Sequence, residues 1–368
     1  MSGVPRSVLL AGGGTAGHVS PLLAVADCLR RRDGDVQITA LGTREGLEAR
    51  LIPARGYELA PIPRVPLPRK PSADLFRLPG RLNAAIRAAD EAIARSDAQV
   101  VVGFGGYVSS PAYLAARRRG IPIVVHEQNA RPGVANRLGA RLGGRVAVTF
   151  PDTPLPHSVV TGMPLRREIA TLDRAAERSG ARSAFGLDVD RPTVLVTGGS
   201  LGAQRLNEAF QATIGELAAS VVQVLHVAGA HKEFDVPDLP AGAAPYVVVP
   251  YVDAMECAYA AADLVVARSG ANTVCELTAV GLPAVYVPLP IGNGEQRLNA
   301  RHVVAAGGGL LVEDSAVDQS WVKEHLIPLA LNPIKIDKMA QAAASVGQRG
   351  GDELVVDLIC AAGATGSH

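Results

Sequence analysis

The chain predicts an α/β protein made of two Rossmann-like domains, and three observations carry that expectation. Two glycine clusters, Gly12-Gly13-Gly14-Thr15-Ala16-Gly17-His18 and Gly198-Gly199-Ser200-Leu201-Gly202-Ala203-Gln204, each follow a short apolar strand and precede a helix-like stretch. Apolar segments of strand length alternate with Ala-rich periodic segments in both halves, as parallel sheets covered by helices require. At 368 residues the chain has room for two domains of ordinary size. One glycine cluster would say little, because tight strand-to-helix turns need glycine for steric reasons. Two of them, in opposite halves, fit loops whose backbone N–H groups and helix N-termini receive phosphate.

In chain order, residues 7–11 open the first half as a buried strand, followed by a helix over 21–31. Strands follow at 36–41, 100–104, 121–125 and 146–149, with helices over 75–94 and 111–118. Proline recurs through PIPRVPLPRKP at 61–71, which excludes regular structure and reads as an exposed loop. The segment VTGMPLR at 160–166 reads as the interdomain link, dividing 1–162 from 163–368. The second half repeats the plan with strands at 193–197, 221–227, 246–249, 264–267 and 284–287, and a helix over 205–219. After Asp352 an apolar helix pattern (Leu354, Val355, Leu358, Ile359) is able to pack on either domain.

Composition bounds the class. The chain is 48% hydrophobic but 4% aromatic, with 39 Gly and 26 Pro, which suits a compact protein with many tight loops. Its four cysteines (Cys28, Cys257, Cys275, Cys360) form no CxxC pair, so neither a disulfide framework nor a zinc site is expected. With the first strand expected from residue 7, no signal peptide is expected, and no apolar run approaches a spanning length. The near-neutral total hides an asymmetry. Residues 1–162 hold 21 Lys and Arg against 12 Asp and Glu, whereas residues 163–368 hold 15 against 23. A basic first half suits phosphates, nucleic acid or an anionic membrane; opposite charges could equally help two domains close.

The residues able to carry chemistry lie at the carboxyl ends of the expected strands, where open α/β sheets bind ligands, and so point to a cleft between the domains. Gly103-Phe104-Gly105-Gly106-Tyr107 makes a third glycine-rich turn, and His126-Glu127-Gln128-Asn129 follows another strand. Tyr251-Val252-Asp253 ends a strand, Arg268-Ser269-Gly270-Ala271-Asn272-Thr273 opens a helix running through Val274 and Cys275 to Glu276, and a further loop leads to Glu295-Gln296. Glu276 could accept both hydroxyls of a ribose or be a solvated helix residue. A neutral His18 could take a proton from a hydroxyl, or simply cap its helix. Glu127 could be a second acid–base group or a carboxylate bonded to backbone amides. The eight histidines are dispersed and no DxD pair follows a strand, so no metal and no cofactor are expected; backbone amides, a helix N-terminus and Arg166 would then meet a diphosphate.

Seven motifs in order, GGGTAGHVSPLLAVA, GFGGYVSSP, HEQNARPGVANR, VTGMPLR, VTGGSLGAQRLN, RSGANTVCELTAVGLPAVYVPLP and EQRLNA, resemble the MurG family across essentially the whole chain. The resemblance implies a GT-B type fold and transfer of N-acetylglucosamine from UDP-GlcNAc to the lipid-linked muramyl-pentapeptide precursor of peptidoglycan. It implies that Thr15, Ala16 and Gly17 approach the sugar and acceptor, with His18 as the base and Glu127 as the other candidate. It assigns Asn129 to the donor sugar, Arg166 and Ser200 to the diphosphate, and the Val252 backbone to uracil. Residues Ala271, Asn272, Thr273, Val274, Cys275 and Glu276 would wrap the α-phosphate and ribose, and Gln296 would hold the sugar hydroxyls. It makes Gly105, Gly106 and Tyr107 the expected acceptor loop. The chain departs from the family at Ala16 (commonly Gly), Met163 (commonly Asn) and Glu295 (commonly Gln), and the last puts the role of position 295 in doubt.

A membrane-bound acceptor requires a membrane-facing surface. The stretch with Arg64, Arg69, Lys70, Arg77, Arg81 and Arg87 among Leu67, Leu75, Phe76, Leu78 and Leu82 is the expected contact with the anionic cytoplasmic face, making the enzyme peripheral. Other classes fit less well. A nicotinamide dehydrogenase wants an acid at the end of its second strand, where Leu41-Gly42-Thr43 stands. A sugar-nucleotide epimerase needs no basic half, and a nucleic-acid binder explains neither Glu276 nor the paired glycine loops.

Overall fold

A computed structural model describes residues 3–65, 74–199, 203–230, 232–291 and 293–365, without the side chains of 74–77 and 365. The chain forms two compact units, Met1–Arg166 with Arg349–His368, and Arg167–Gln348.

The first unit is built on a parallel sheet of β1 (Ser7–Ala11), β2 (Gln37–Gly42), β3 (Glu58–Pro61), β4 (Val100–Gly103), β5 (Ile123–Glu127), β6 (Arg145–Val148) and β7 (Ser158–Val160). Its spatial order is β3-β2-β1-β4-β5-β6-β7. The strands are short Val/Leu/Ile runs, and β1 is buried along its whole length because helices cover both faces. The direction of winding reverses between β1 and β4. Loops leaving the carboxyl ends of these two neighbours therefore converge, the usual place for a ligand in such sheets.

The second unit repeats the design with β8 (Thr193–Thr197), β9 (Gln223–Val227), β10 (Tyr246–Val249), β11 (Leu264–Ala267), β12 (Ala284–Tyr286) and β13 (Gly309–Leu311), ordered β10-β9-β8-β11-β12-β13. All its pairings are parallel, and the switch falls between β8 and β11.

Two expectations change, and one left open is settled. The helix expected over 205–219 is two helices, Gln204–Gln211 and Ile214–Ala219, separated where the Thr213 hydroxyl turns back to donate to the Ala209 carbonyl at 2.5 Å. The proline-rich segment is a loop as expected over 62–65, with Pro63 and Arg64 exposed, but Pro61 ends edge strand β3, Ile62 N–H donates to the Gly42 carbonyl at 2.8 Å, and Ile62 and Val65 are buried. Its remainder, 66–71, lies outside the described residues. The final helix, Gly351–Thr365, packs on helix Ala16–Arg32 within the first unit rather than on the second. Val355, Val356 and Ile359 are fully buried there, each contributing about 1.5–3 kcal/mol. Arg31 pairs with Asp352 at 2.7 Å, and Arg32 with Asp357 at 2.6 Å and with Glu353.

Candidate active site

In the first unit, the loop after β1 and the loop after β4 lie against each other. Gly106 has φ +74°, and a Cβ there would stand 2.6 Å from the Gly13 carbonyl, so the approach requires glycine. His18, in the first turn of helix Ala16–Arg32, sits beside this contact. Thr15 Oγ1 lies 3.0 Å from His18 Nδ1, the Gly13 carbonyl is a further hydrogen-bonding neighbour of the ring, and Gly105 packs against the Nε2 edge. Desolvation lowers the imidazole pKa from its ordinary value, against the opposing effects of Gly13 and the Glu48 charge. The ring is therefore neutral at pH 7, the form a base needs. With Nδ1 carrying the proton, Thr15 Oγ1 accepts from it and the Nε2 lone pair is left for a substrate proton.

Sequence reasoning missed Glu48. It is fully buried and accepts the Gly14 N–H at 3.1 Å. A carboxylate thus already takes the Gly14 N–H, one of the donors that this loop holds. Tyr107, in the first turn of helix Gly106–Arg119, places its hydroxyl 3.3 Å from Thr43 Oγ1 and its ring under the Arg64 guanidinium at 5.9 Å.

Glu127 has a different environment. It is 2% exposed, and its carboxylate accepts from the Asn129 N–H, the Gly133 N–H and Asn136 Nδ2, each at 2.9 Å. Burial raises its pKa beyond what those bonds lower it. Asn136 is itself fixed by the Tyr113 hydroxyl at 2.9 Å, so Glu127 braces the loop that presents half-buried Asn129. His126 is fully buried with Nε2 3.1 Å from the Gly162 carbonyl, and burial pushes its pKa down to about 4. Arg166 is half-buried at the end of this unit.

In the second unit, the polar groups again gather at the carboxyl ends of β8, β10, β11 and β12. Helix Ala271–Ala279 starts after Gly270 with Ala271 and Val274 buried, and with Asn272, Thr273, Cys275 and Glu276 half-buried. Glu276 Oε2 accepts from the Tyr259 hydroxyl at 2.7 Å, a partner not visible in the sequence. Asn272 Oδ1, Ser269 Oγ and the Tyr286 hydroxyl are buried without a hydrogen-bond partner among the described residues. Native interiors rarely leave such groups unmatched. Val252 is buried just past β10, and Gln296 Oε1 accepts the Leu289 N–H at 2.9 Å. In the second glycine loop Gly199 N–H donates to Thr197 Oγ1 at 3.2 Å; Ser200, expected at the diphosphate, lies outside the described residues. Among the described residues, one trio has metal-ligand spacing, Cys28, Asp352 and Glu353. Its carboxylates are engaged by Arg31 and Arg32.

Leu78 and Leu82, expected to face a membrane, pack partly against the core of the first unit. Arg87 is exposed; Leu67, Arg69 and Lys70, and the side chains of Leu75, Phe76 and Arg77, lie outside the described residues. Among the described residues no helix is long and apolar enough to cross a membrane.

Residues 8–148 match the Glycosyltransferase family 28 N-terminal domain, and residues 193–355 match the Glycosyltransferase family 28 C-terminal domain. The chain is 58% identical to a Nocardioides sp. protein and 56% identical to one from Streptomyces avermitilis, in each case over 96% of this chain and 97% of the relative. Both are UDP-N-acetylglucosamine--N-acetylmuramyl-(pentapeptide) pyrophosphoryl-undecaprenol N-acetylglucosamine transferases. Among solved structures, the MurG of Acinetobacter baumannii is 30% identical with a TM-score of 0.77, over 96% of this chain and 99% of that one. The calicheamicin glycosyltransferase CalG4, 19% identical with a TM-score of 0.68 over 99% of this chain and 100% of that one, shares the fold. Near full-length identity, two matching family domains and two parallel-sheet units together mean that this chain belongs to the MurG family of GT-B glycosyltransferases.

Proposed function

We infer that this chain transfers N-acetylglucosamine from UDP-GlcNAc to undecaprenyl-pyrophosphoryl-MurNAc-pentapeptide, converting lipid I to lipid II in peptidoglycan synthesis. The observation that carries this reading is 54–58% identity to transferases of that name over at least 95% of the chain. The finer mechanism is an inverting displacement. His18 takes the proton of the muramyl 4-hydroxyl, that oxygen attacks the anomeric carbon, and UDP departs. The hydrogen-bonding environments support His18 over Glu127: the imidazole is neutral with a defined Nδ1 side, whereas the buried Glu127 carboxylate already accepts three bonds. A positioned base supplies about 10²–10⁴-fold, so stabilisation of the departing diphosphate must supply much of the rest.

For the donor, Glu276 takes the ribose hydroxyls, the Val252 backbone meets uracil, and the start of helix Ala271–Ala279 receives the α-phosphate. Arg166 and Ser200 steady the diphosphate, and Asn129 and Gln296 hold the sugar. Thr15, Ala16 and Gly17, with Gly105, Gly106 and Tyr107, line the acceptor side. The enzyme acts as a peripheral protein on the cytoplasmic face of the membrane, through the basic stretch from Arg64 to Arg87; exposed Arg87 and the excess of Lys and Arg over residues 1–162 support this. Incubation with labelled UDP-GlcNAc and a lipid-linked muramyl acceptor tests the function: label should move to the lipid. Its failure to move, with folded protein and authentic acceptor, would refute the reading.

A further inference from the structure

We propose that Glu48 is a positioning residue for this transfer, clamping the Gly12–Thr15 loop to the end of β2 and so setting where the His18 imidazole sits. The proposal rests on His18 as the base. Glu48 opens the short helix Glu48–Ala54 and is fully buried, a costly place for a carboxylate unless donors meet it. Three do. Oε2 accepts the Gly14 N–H at 3.1 Å, while Oε1 accepts the Thr43 N–H at 3.0 Å and the Thr43 hydroxyl at 2.8 Å. One carboxylate therefore ties the loop after β1 to the loop after β2, adding to the backbone bond from Gly12 N–H to the Leu41 carbonyl at 3.4 Å.

The chain is shaped around this group. A Cβ on Gly13 would stand 2.6 Å from Glu48 Oε1, and one on Gly46 would collide with the same carboxylate. Burial alone would raise the Glu48 pKa; the bonds from Gly14 and Thr43 outweigh it and hold the group ionised at neutral pH. A merely space-filling residue would need neither the charge nor glycines on both sides.

The path to His18 is short. Gly13, adjoining the Gly14 that Glu48 holds, turns its carbonyl toward the imidazole, and Thr15, the next residue on the other side, contacts Nδ1. Displacing Gly14 moves both partners of the ring. The groups facing His18 are Thr15 on its own side, Gly105 and Gly106 from the β4 loop, and Glu48, the charge acting on it, whose field favours the imidazolium. Tyr107 joins the same set through Thr43.

The test uses the full chain with UDP-GlcNAc and a soluble lipid-linked acceptor analogue, measuring kcat and KM from pH 5 to 9, UDP affinity and thermal unfolding. Glu48→Gln keeps the shape but removes the charge and one acceptor. We expect kcat to fall about tenfold or more, UDP affinity to stay within about twofold, and the acid limb of the rate profile to move to lower pH. Thr43→Val, which removes a single donor, should lower kcat by about threefold in a chain that still folds with a somewhat lower unfolding temperature. In a His18→Ala background, Glu48→Gln should change kcat by less than about twofold, because its effect passes through the missing ring. Wild-type kcat and pH profile in folded Glu48→Gln overturns the proposal. Should that variant not fold, an unchanged kcat in Thr43→Val overturns it instead. Wild-type kcat in His18→Ala would refute the base assignment and this proposal with it, whereas a crippled His18→Ala beside a normal Glu48→Gln removes Glu48 alone.

Discussion

The Tyr259 hydroxyl donates a 2.7 Å hydrogen bond to Glu276 Oε2. Tyr259 is almost wholly buried on helix Met255–Ala261, so it holds the carboxylate in one orientation before any ligand arrives. If Glu276 takes the ribose hydroxyls, Glu276→Ala should weaken UDP binding by about 10- to 150-fold, the value of a charge-assisted hydrogen bond. Tyr259→Phe, which removes only the orienting bond, should weaken it by about 2- to 10-fold. Calorimetric titration with UDP reads both. Unchanged affinity in Glu276→Ala would exclude the ribose role.

The pH profile follows from the direction of the His18 shift. A base must be deprotonated, and desolvation sets the His18 pKa below the ordinary 6.5. The rate should therefore be flat around pH 7 and fall about tenfold per unit once pH drops below the shifted value. His18→Ala should lose this limb along with most of kcat while UDP affinity barely moves, and Glu127→Gln should keep the limb. An acid limb that persists in His18→Ala and vanishes in Glu127→Gln would reverse the assignment.

Stability should respond to two other imidazoles. Burial pushes His126 to about 4 and His226 to about 3, whereas both return to near 6.5 on unfolding. Their folded values are depressed, so the unfolded chain binds more protons between roughly pH 4 and 6.5. The stability they contribute is fully present above 6.5 and is lost as pH falls through that window. At pH 5 the pair should account for an uptake of about 1.8 protons on unfolding, or about 2.5 kcal/mol per pH unit. Calorimetric unfolding in buffers of different ionisation enthalpy counts these protons. An uptake near zero would contradict the neutral, buried state of both rings.

Membrane attachment should depend on charge more than the apolar pattern suggests. Because Leu78 and Leu82 pack partly on the core, arginines carry a larger share, at about 1 kcal/mol each near anionic lipid. The chain should sediment with phosphatidylglycerol vesicles at low salt and be released by raised salt. Arg81→Glu with Arg87→Glu should abolish pelleting while UDP binding stays intact. Equal pelleting of wild type and variant would move the contact elsewhere.

The sheets and their ligand edge were legible because the signals are local. A buried parallel strand is a run of Val and Leu, and a strand-to-helix turn that must approach something closely is marked by glycine. What the sequence concealed lies in distant pairings. Glu48 stands alone in a short helix with no periodic signal, and only folding brings it to Gly14, 34 residues back. Tyr259 precedes Glu276 by 17 residues on a separate helix. The stripe containing Leu78 and Leu82 has the spacing of an amphipathic helix, but spacing cannot say whether lipid or core covers it. The last helix has the same ambiguity, resolved by the match of Arg31 and Arg32 to Asp352, Glu353 and Asp357. Glu127 and Asn129 look equivalent as neighbours in HEQN, yet one is a buried brace and the other half-exposed.

The most direct test of the account is the product itself. The chain is incubated with UDP-GlcNAc and the lipid-linked muramyl-pentapeptide acceptor in the presence of EDTA, and the new glycosidic linkage is read by proton NMR. An inverting displacement that needs no metal gives a β-linked N-acetylglucosamine on the muramyl 4-hydroxyl, one UDP released per linkage, and no turnover when the acceptor is omitted. An α-linked product, loss of transfer in EDTA, or consumption of UDP-GlcNAc without acceptor would contradict it.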